Sequence, residues 1–188
     1  MTASTQTARL QDLSGTYNLD PSHSRIGFVT RHAMIAKVRG AFNDVTGTAA
    51  INGANPAASS LDVTIQTASV DTRDANRDGH LASPDFFDAG TFPTITFVGT
   101  GFDITSDDTV EVTGDLTIKG ITKQVSIPFE FGGVATDPFG NSRAGFEGQL
   151  VVNRKDWGLT WNAALETGGV LVADKVTLEL EVSAVKAA

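Results

Sequence analysis

Apolar and polar residues alternate with a period of two over most of the chain. In the segment 176–182, Val176, Leu178, Leu180 and Val182 are separated by polar residues. Such alternation gives a β-strand one apolar and one polar face, which is typical of antiparallel sheets. The pattern predicts strands at 17–19, 25–31, 38–51, 61–66, 95–97, 110–119, 124–131, 146–152 and 176–183.

Turn signals separate these predicted strands, as expected for a chain that folds back on itself repeatedly. They occur at Asn52-Gly53, 106–108, Lys119-Gly120, 137–140 and Gly168-Gly169. Within the long segment 38–51 the apolar parity changes between Phe42 and Val45. Because one extra residue shifts the parity of a strand, we expect a β-bulge near Asn43-Asp44.

One stretch, near residues 73–88, breaks the alternation and predicts a short helical insert. Residues 73–81 have no period of two, and Ser83 and Pro84 are placed to start a second helical turn, with Asp85 near its positive end. Phe86 and Phe87 follow directly. An all-β chain with one such insert predicts a barrel with a plug or lid across one mouth.

The apolar parity carries Gly40, Gly114 and Gly148 among large residues. Glycine on the inner face of a strand marks a bend that closes a barrel or a place where another molecule approaches. Both interpretations favour an all-β, eight-stranded antiparallel β-barrel over a packed sandwich. A barrel of about eight strands leaves room for one small ligand.

Composition narrows the function classes. The 188 residues suit one domain, predicted at 15–188 after a flexible leader at 1–14. A net charge of -8 disfavours nucleic acid and anionic membrane surfaces as partners, and the absence of cysteine excludes thiol chemistry. No apolar run reaches membrane-helix length, so we expect no membrane insertion. The start at Met1 lacks a signal-peptide pattern, which predicts a cytoplasmic protein.

Two arrangements of polar residues invite a catalytic or metal-binding interpretation. His23 and His32 are an odd number of positions apart, so a regular strand would place them on opposite faces, and His80 lies in the insert. Asp20, His23 and Ser24 crowd into one strand start, where a turn network is the better interpretation than a triad. We therefore predict no metal site, no catalytic residue and no enzymatic activity. Asn153, Arg154 and Asp156 receive the same interpretation as a turn network.

Several segments, in order along the chain, resemble the YceI-like family of polyisoprenoid-binding proteins. They are LDPSHSRIGF at 19–28, VRGAF at 38–42, ASVDT at 68–72, RDGHL at 77–81, SPDFFD at 83–88, FPTITF at 92–97, GDLTIKGITK at 114–123 and NRKDWG at 153–158. The resemblance implies a lipocalin-like barrel with an apolar tunnel for an isoprenoid or similar lipid, and often a homodimer. Better-known members carry a secretion signal, which this sequence does not show.

The predicted function is carriage or sequestration of a long-chain amphiphile, with no cofactor other than the bound lipid. The resemblance implies a ligand among the polyisoprenoids, isoprenoid quinones, prenyl diphosphates and fatty-acid derivatives such as fatty amides. The alternatives are an enzyme that acts on an isoprenoid in the same cavity, and a packed module without a ligand. At ~0.8 kcal/mol per buried CH₂, an apolar tail alone would bind tightly but with little selectivity for length.

Aromatic residues are the candidates for lining the tunnel, although ordinary core packing is the alternative for each. They are Phe28, Phe42, Phe97, Phe129, Phe131 and Phe146, with Phe86, Phe87, Trp157 and Trp161 nearer the mouth. Arg77, Asp78, His80 and Asp85 are candidates for contacting a headgroup at the rim. The alternative for these four is that they anchor the insert to the barrel.

Overall fold

The computed structural model describes residues 8–188, and all its strands belong to one antiparallel sheet. The helix α1 spans Ala75–Ala82. The strands are β1 (Ser14–Leu19), β2 (Arg25–His32), β3 (Ala36–Phe42), β4 (Val45–Asn52), β5 (Ser60–Gln66), β6 (Val70–Asp71), β7 (Thr94–Ile104), β8 (Thr109–Ile118), β9 (Ile121–Thr136), β10 (Ser142–Asn153) and β11 (Val172–Lys186).

The sheet closes into an eight-stranded barrel, as the sequence predicts. The order is β1-β4-β5-β7-β8-β9-β10-β11, and β1 pairs back onto the end of β11. Next to β1, the same strand β11 pairs with β2, which pairs in turn with β3 and then β6. The pairs β1/β2, β3/β4 and β5/β6 are therefore three barrel strands, each interrupted once.

The three interruptions lie side by side. A 3₁₀ turn at Pro21–His23 separates β1 from β2, residues 43 and 44 separate β3 from β4, and a 3₁₀ turn at Thr67–Ser69 separates β5 from β6. The Asn43 amide donates to the Ser69 carbonyl at 3.2 Å. A β-bulge within one long strand 38–51 was predicted near Asn43-Asp44, whereas the structure has a break there, with β3 ending at Phe42 and β4 beginning at Val45.

The turn at Pro21–His23 is held by a local polar network, as predicted. The Asp20 carboxylate accepts from the Ser22 amide at 2.9 Å and the Ser22 hydroxyl at 2.7 Å, and it lies 2.8 Å from His23 Nδ1. Arg143 pairs with Asp20 and, at 2.9 Å, with Asp137. The Ser22 hydroxyl, followed by Arg143 and His23, holds the pKa of Asp20 well below its usual range.

The helical insert also follows the sequence. Asp74 caps α1 by accepting from the Arg77 amide at 2.9 Å. The second turn is a hydrogen-bonded turn and not a helix, because the Ser83 carbonyl accepts from both the Phe86 and Asp88 amides. This turn carries Phe86 and Phe87 against the barrel.

The folded domain begins before the predicted boundary at residue 15. Leu10–Asp12 form a 3₁₀ turn, and Leu10 and Leu13 are both buried. The Gly53 amide donates to the Leu13 carbonyl at 2.8 Å, which fixes this segment to the turn after β4. Residues 10–13 are therefore packed against the barrel, and residues 1–7 of the predicted leader lie outside the described residues.

Candidate functional site

The barrel encloses a cavity of about 330 Å³. Its lining is almost entirely apolar and comes from all eight barrel strands, the insert and the N-terminal turn. Representative aliphatic positions are Leu61, Val63 and Ile65 on β5, Val110, Val112, Leu116 and Ile118 on β8, and Val176, Leu178, Leu180 and Val182 on β11. This size lies at the lower end of the ~300–1,000 Å³ typical of ligand pockets.

Alternation along the strands explains why the lining is apolar, and one bulge explains a change in parity. On β7, Ile95 and Phe97 line the cavity at odd positions, whereas Phe102 and Ile104 line it at even positions. The register between β7 and β8 shifts between Gly99 and Gly101. The extra residue at the bulge turns the second half of β7 over, so both halves present apolar side chains to the cavity.

Most of the predicted aromatic residues line the cavity, and two do not. The lining includes Phe28, Phe42, Phe86, Phe87, Phe97, Phe129, Phe146 and Trp157. Phe131 instead packs on Phe146, with ring centroids 5.4 Å apart, in the cluster around Tyr17. Trp161 packs edge-on against His80, at 4.6 Å between centroids, and against Phe86.

Sequence reasoning missed much of the lining because it selected aromatic residues. Most lining positions are aliphatic, and their signal was present in the alternation itself. Leu10 and Leu13 also line the cavity, from a segment that was predicted to be a flexible leader. Their spacing of three residues in an otherwise polar stretch was the available signal.

The inner-face glycines provide space for phenylalanine rings from neighbouring strands. A Cβ at Gly40 would overlap the ring of Phe28, its partner across the β2–β3 pair, and one at Gly148 would overlap Phe129 across β9–β10. A Cβ at Gly114 would overlap the ring of Phe97, its diagonal neighbour across the β7–β8 pair. The missing side chains thus let three rings lie flat against the wall, which leaves the centre of the barrel open.

Gly40→Ala is expected to narrow the cavity. The new methyl group must push the Phe28 ring inward, so we expect about a fourfold loss of lipid affinity, the equivalent of one CH₂ at ~0.8 kcal/mol. Overpacking should also lower the free energy of unfolding by about 1 kcal/mol or more. Gly145→Ala is the control, because nothing lies within 4 Å of a Cβ there. Equal affinities of the two variants in a lipid titration would contradict the role assigned to Gly40.

One end of the cavity is closed by the 3₁₀ turn at Arg154–Trp157. Trp157 is 3% exposed, and its indole Nε1–H donates to the Leu116 carbonyl at 3.0 Å. The bond spans the barrel end from β8 to the segment after β10. The indole ring therefore helps to close this end of the cavity, and its N–H forms a hydrogen bond with the backbone.

Arg154 is a buried cation at the same end. It is 5% exposed, and its guanidinium donates to the carbonyls of Leu159 (2.6 Å), Trp161 (2.9 Å), Ala173 (3.0 Å) and Val172 (3.4 Å). Asp174 lies 3.6 Å away. Burial lowers the pKa of Arg154 from its ordinary value, partly offset by Asp174. Because carbonyls take up its donors, Arg154 holds the 159–173 segment against the barrel.

The opposite end of the cavity carries a few polar groups. Tyr17, Asn52, Ser59 and Ser60 are among its lining residues, and burial raises the pKa of the Tyr17 phenol. The backbone N–H of Asn52 donates to the Ser59 hydroxyl at 2.9 Å, so part of the hydrogen-bonding capacity at this end is used within the protein. This end is covered by the N-terminal turn that contains Leu10.

The predicted rim residues bond to other protein groups. Asp78 accepts from the Thr72 amide and hydroxyl, at 2.8 and 2.6 Å, and Arg77 donates to the Thr72 hydroxyl and carbonyl, at 2.7 and 2.8 Å. His80 Nε2 lies 2.9 Å from Asp85. The contacts with Thr72 tie α1 to the end of β6, the His80–Asp85 contact lies within the insert, and none of the four side chains lines the cavity. Their contact with a headgroup stays a prediction.

Within residues 8–188, no group of three or more histidine, aspartate or glutamate side chains is arranged to hold a metal ion. No helix in this part of the chain has the length and apolar character required to span a bilayer.

Known proteins share this fold and sequence pattern. A family model described as YceI-like domain matches residues 17–184. A UPF0312 protein of Ectopseudomonas mendocina is 40% identical over 152 residues, which cover 80% of each protein. The crystal structure of BcnA from Burkholderia cenocepacia matches with a TM-score of 0.75 and 28% identity, over 88% of this chain and 98% of that one. A polyisoprenoid binding domain from Saccharophagus degradans matches with a TM-score of 0.71 and 17% identity, over 91% of this chain and 98% of that one.

Proposed function

Because the chain belongs to the YceI-like family, we propose that its barrel binds a long-chain amphiphilic lipid of the polyisoprenoid class and carries or sequesters it without chemical change. The observation that carries the proposal is the continuous apolar lining of the 330 Å³ cavity. Burial of apolar surface contributes ~25 cal/mol per Å², so such a lining favours an apolar chain over any polar metabolite. The polyisoprenoid binding domain with the same fold supports the ligand class.

The lining also favours a ligand with an uncharged headgroup, such as a prenol or a quinone. Within residues 8–188, the titratable side chains that line the cavity are Tyr17 and Arg154. A guanidinium has five N–H donors, and those of Arg154 face four carbonyls and Asp174. A diphosphate would therefore enter this cavity without a cation free to pair with it, and burying an unpaired charge is costly.

The same two residues argue against catalysis in the cavity. Tyr17 on β1 lies opposite Lys186, near the end of β11, in the strand pairing. The Arg154 guanidinium donates to the carbonyl of Ala173, near the start of the same strand β11. Lys186 and Ala173 are 13 positions apart, which corresponds to roughly 40 Å of strand at ~3.3 Å per residue. An acid and a base at opposite ends of the barrel cannot exchange a proton with one reacting group.

The volume of the cavity limits how much of a long tail it holds. At about 330 Å³ it accommodates a segment the size of a small drug molecule. A tail of many isoprene units must therefore extend through one end of the barrel. Each enclosed CH₂ contributes ~0.8 kcal/mol, so affinity should rise with tail length until the cavity is filled and then level off.

Mass spectrometry of an organic extract tests the proposal. The protein is purified without detergent, and native mass spectrometry of the intact protein gives the stoichiometry. We expect one uncharged prenyl lipid per chain. A fatty acid or fatty amide would keep a lipid-binding function and replace the isoprenoid. A protein that is empty and also rejects added prenyl quinones would overturn the proposal in favour of a packed module.

A further inference from the structure

An exposed apolar surface projects from one end of the barrel. In the β2–β3 turn, Met34 is 57% exposed and Ile35 is 81% exposed. The Ala33 amide donates to the Leu171 carbonyl at 2.7 Å, which joins this turn to the loop before β11, where Val170 is also exposed. We name Met34, Ile35 and Val170 the apolar tip. Clustered exposed aliphatic side chains are a mark of an interaction site.

The backbone of the tip is strained, and its sequence does not relieve the strain. Ala33 and Met34 have φ angles of 49° and 67°, and the Ile35 amide donates to the His32 carbonyl at 3.2 Å. Positive φ at both central residues defines a type I′ turn, for which Asn-Gly is the favoured sequence. Large apolar residues at such positions do not serve the stability of the free protein, and strain of this kind clusters at functional sites.

The tip adjoins the end of the cavity. Thr30 on β2 and Val172 on β11 both line the cavity, and Val172 pairs with His32. The β2–β3 turn begins at the next residue. A surface that contacted the tip would therefore face the cavity end that Trp157 and Arg154 also border.

Cations surround the tip on the outer face of the hairpin. Arg31 and Lys37 lie directly opposite each other across β2 and β3, an arrangement that like charges disfavour. Neither forms an ion pair within the described part of the chain. Arg39 shares the single carboxylate of Glu179 with Arg25. Acidic residues at the same end offset part of this positive charge: Glu166 on the loop that carries Val170, Asp174 at the start of β11, and Asp74, Asp85 and Asp88 in the insert.

The opposite end of the barrel is acidic. β11 begins beside the tip, and its far end pairs with Arg143 next to the β9–β10 turn. The turns at that far end and the strand ends beside them carry Asp103, Asp107, Asp108, Glu111, Glu130 and Asp137. The formal charge of -8 is thus distributed unevenly. Near an anionic surface, repulsion of the acidic end orients the molecule with that end away from the surface and with the apolar tip toward it.

We infer that the apolar tip docks on an anionic lipid bilayer, with Met34 and Ile35 in the headgroup region and Arg31 and Lys37 against lipid phosphates. Apolar insertion combined with basic contacts is how proteins bind such surfaces without crossing them. Docking would serve to load or release the bound lipid, and this role rests on the proposed function. A second copy of the chain fits less well, because a twofold interface would place Arg31 and Lys37 against the same cations.

Vesicle flotation with the full chain tests the docking. Wild-type protein is expected to float with phosphatidylglycerol-containing vesicles at low salt, to bind phosphatidylcholine vesicles weakly, and to dissociate at 1 M salt, where the Debye length is ~3 Å. Ile35→Ser should lower the partition coefficient at least about tenfold. Phe139→Ser is the matched control, since Phe139 is 89% exposed at the acidic end, and it should change nothing.

A charge pair provides the second comparison. Lys37→Glu should reduce binding to anionic vesicles severalfold, whereas Lys186→Glu makes the same charge change at the far end and should have little effect. Equal binding of wild type and Ile35→Ser overturns the proposal. A second outcome also overturns it: wild-type protein does not float with vesicles but forms a dimer in ultracentrifugation, and Ile35→Ser converts this dimer to a monomer. A protein that is empty and rejects added prenyl quinones, yet still binds vesicles, would overturn the proposed function and keep the docking.

Discussion

Replacing Ala49 with tryptophan is expected to lower the affinity for a long-chain lipid at least about a hundredfold. Ala49 lines the cavity on β4, between Tyr17 of β1 and Leu61 of β5. An indole at this position occupies volume that the lipid tail needs. Excluding about four CH₂ groups at ~0.8 kcal/mol each removes roughly 3 kcal/mol, or two powers of ten in Kd. Titration with a short-chain prenyl quinone, followed by tryptophan quenching or calorimetry, measures the change.

The neighbouring position supplies the control. Ala50 points outward and is exposed, so Ala50→Trp adds the same side chain to the same strand and should leave affinity unchanged. Equal losses in both variants would mean that β4 itself is disturbed. A folded Ala49→Trp protein with wild-type affinity would show that lipid binds elsewhere. Phe97→Glu, which places a carboxylate in the cavity wall, should abolish uptake for an independent reason, the cost of burying an unpaired charge.

Arg154→Met is expected to lower the free energy of unfolding by about 3 kcal/mol or more. The substitution removes the guanidinium donor from four carbonyls, of which that of Val172 keeps the Asn162 side-chain amide as a donor at 2.8 Å. Each of the other three loses its guanidinium bond, and an unsatisfied buried group costs ~1–3 kcal/mol before water relieves part of it. Methionine keeps much of the side-chain volume, so the loss reports the hydrogen bonds more than a cavity. Urea denaturation followed by circular dichroism measures the difference, provided that the slope with denaturant is unchanged.

Lys155→Met is the matched control for this prediction. Lys155 is adjacent in sequence, and its ammonium group pairs with Asp174 at 3.1 Å with nearly half of the side chain exposed. Exposed pairs of this kind contribute ~0–1 kcal/mol, so the control should remain near wild type. If Arg154→Met also unfolds within 1 kcal/mol of wild type, then the 159–173 segment is held by its apolar contacts and Arg154 is not its anchor.

The alternation of residues determined most of the fold. The inward parity of β5, β8 and β11 is already visible in the sequence, and it implies an apolar interior without any knowledge of the partners of each strand. The parity change before Val45 likewise located the interruption between β3 and β4. These features are local, because the period of a strand depends only on the backbone geometry of successive residues.

What each inward side chain does was decided by the tertiary structure. Phe131 and Phe146 face each other across β9 and β10, and both belong to the cluster around Tyr17, yet only Phe146 lines the cavity. Nothing in the local pattern separates them, because the difference depends on how far the cavity extends along the barrel. Trp161 was predicted to line the tunnel near its mouth, but its ring packs on His80 outside the cavity.

The sequence by itself therefore determined an all-β barrel with an apolar interior, a helical insert and the family to which the chain belongs. Only the tertiary structure decided that Leu10 and Leu13 cover one end, that Arg154 ties down the other, and that Met34 and Ile35 remain exposed. These three facts depend on contacts between segments far apart in the chain. Local periodicity fixes which face of a strand a residue occupies, whereas burial depends on what the rest of the fold places against that face.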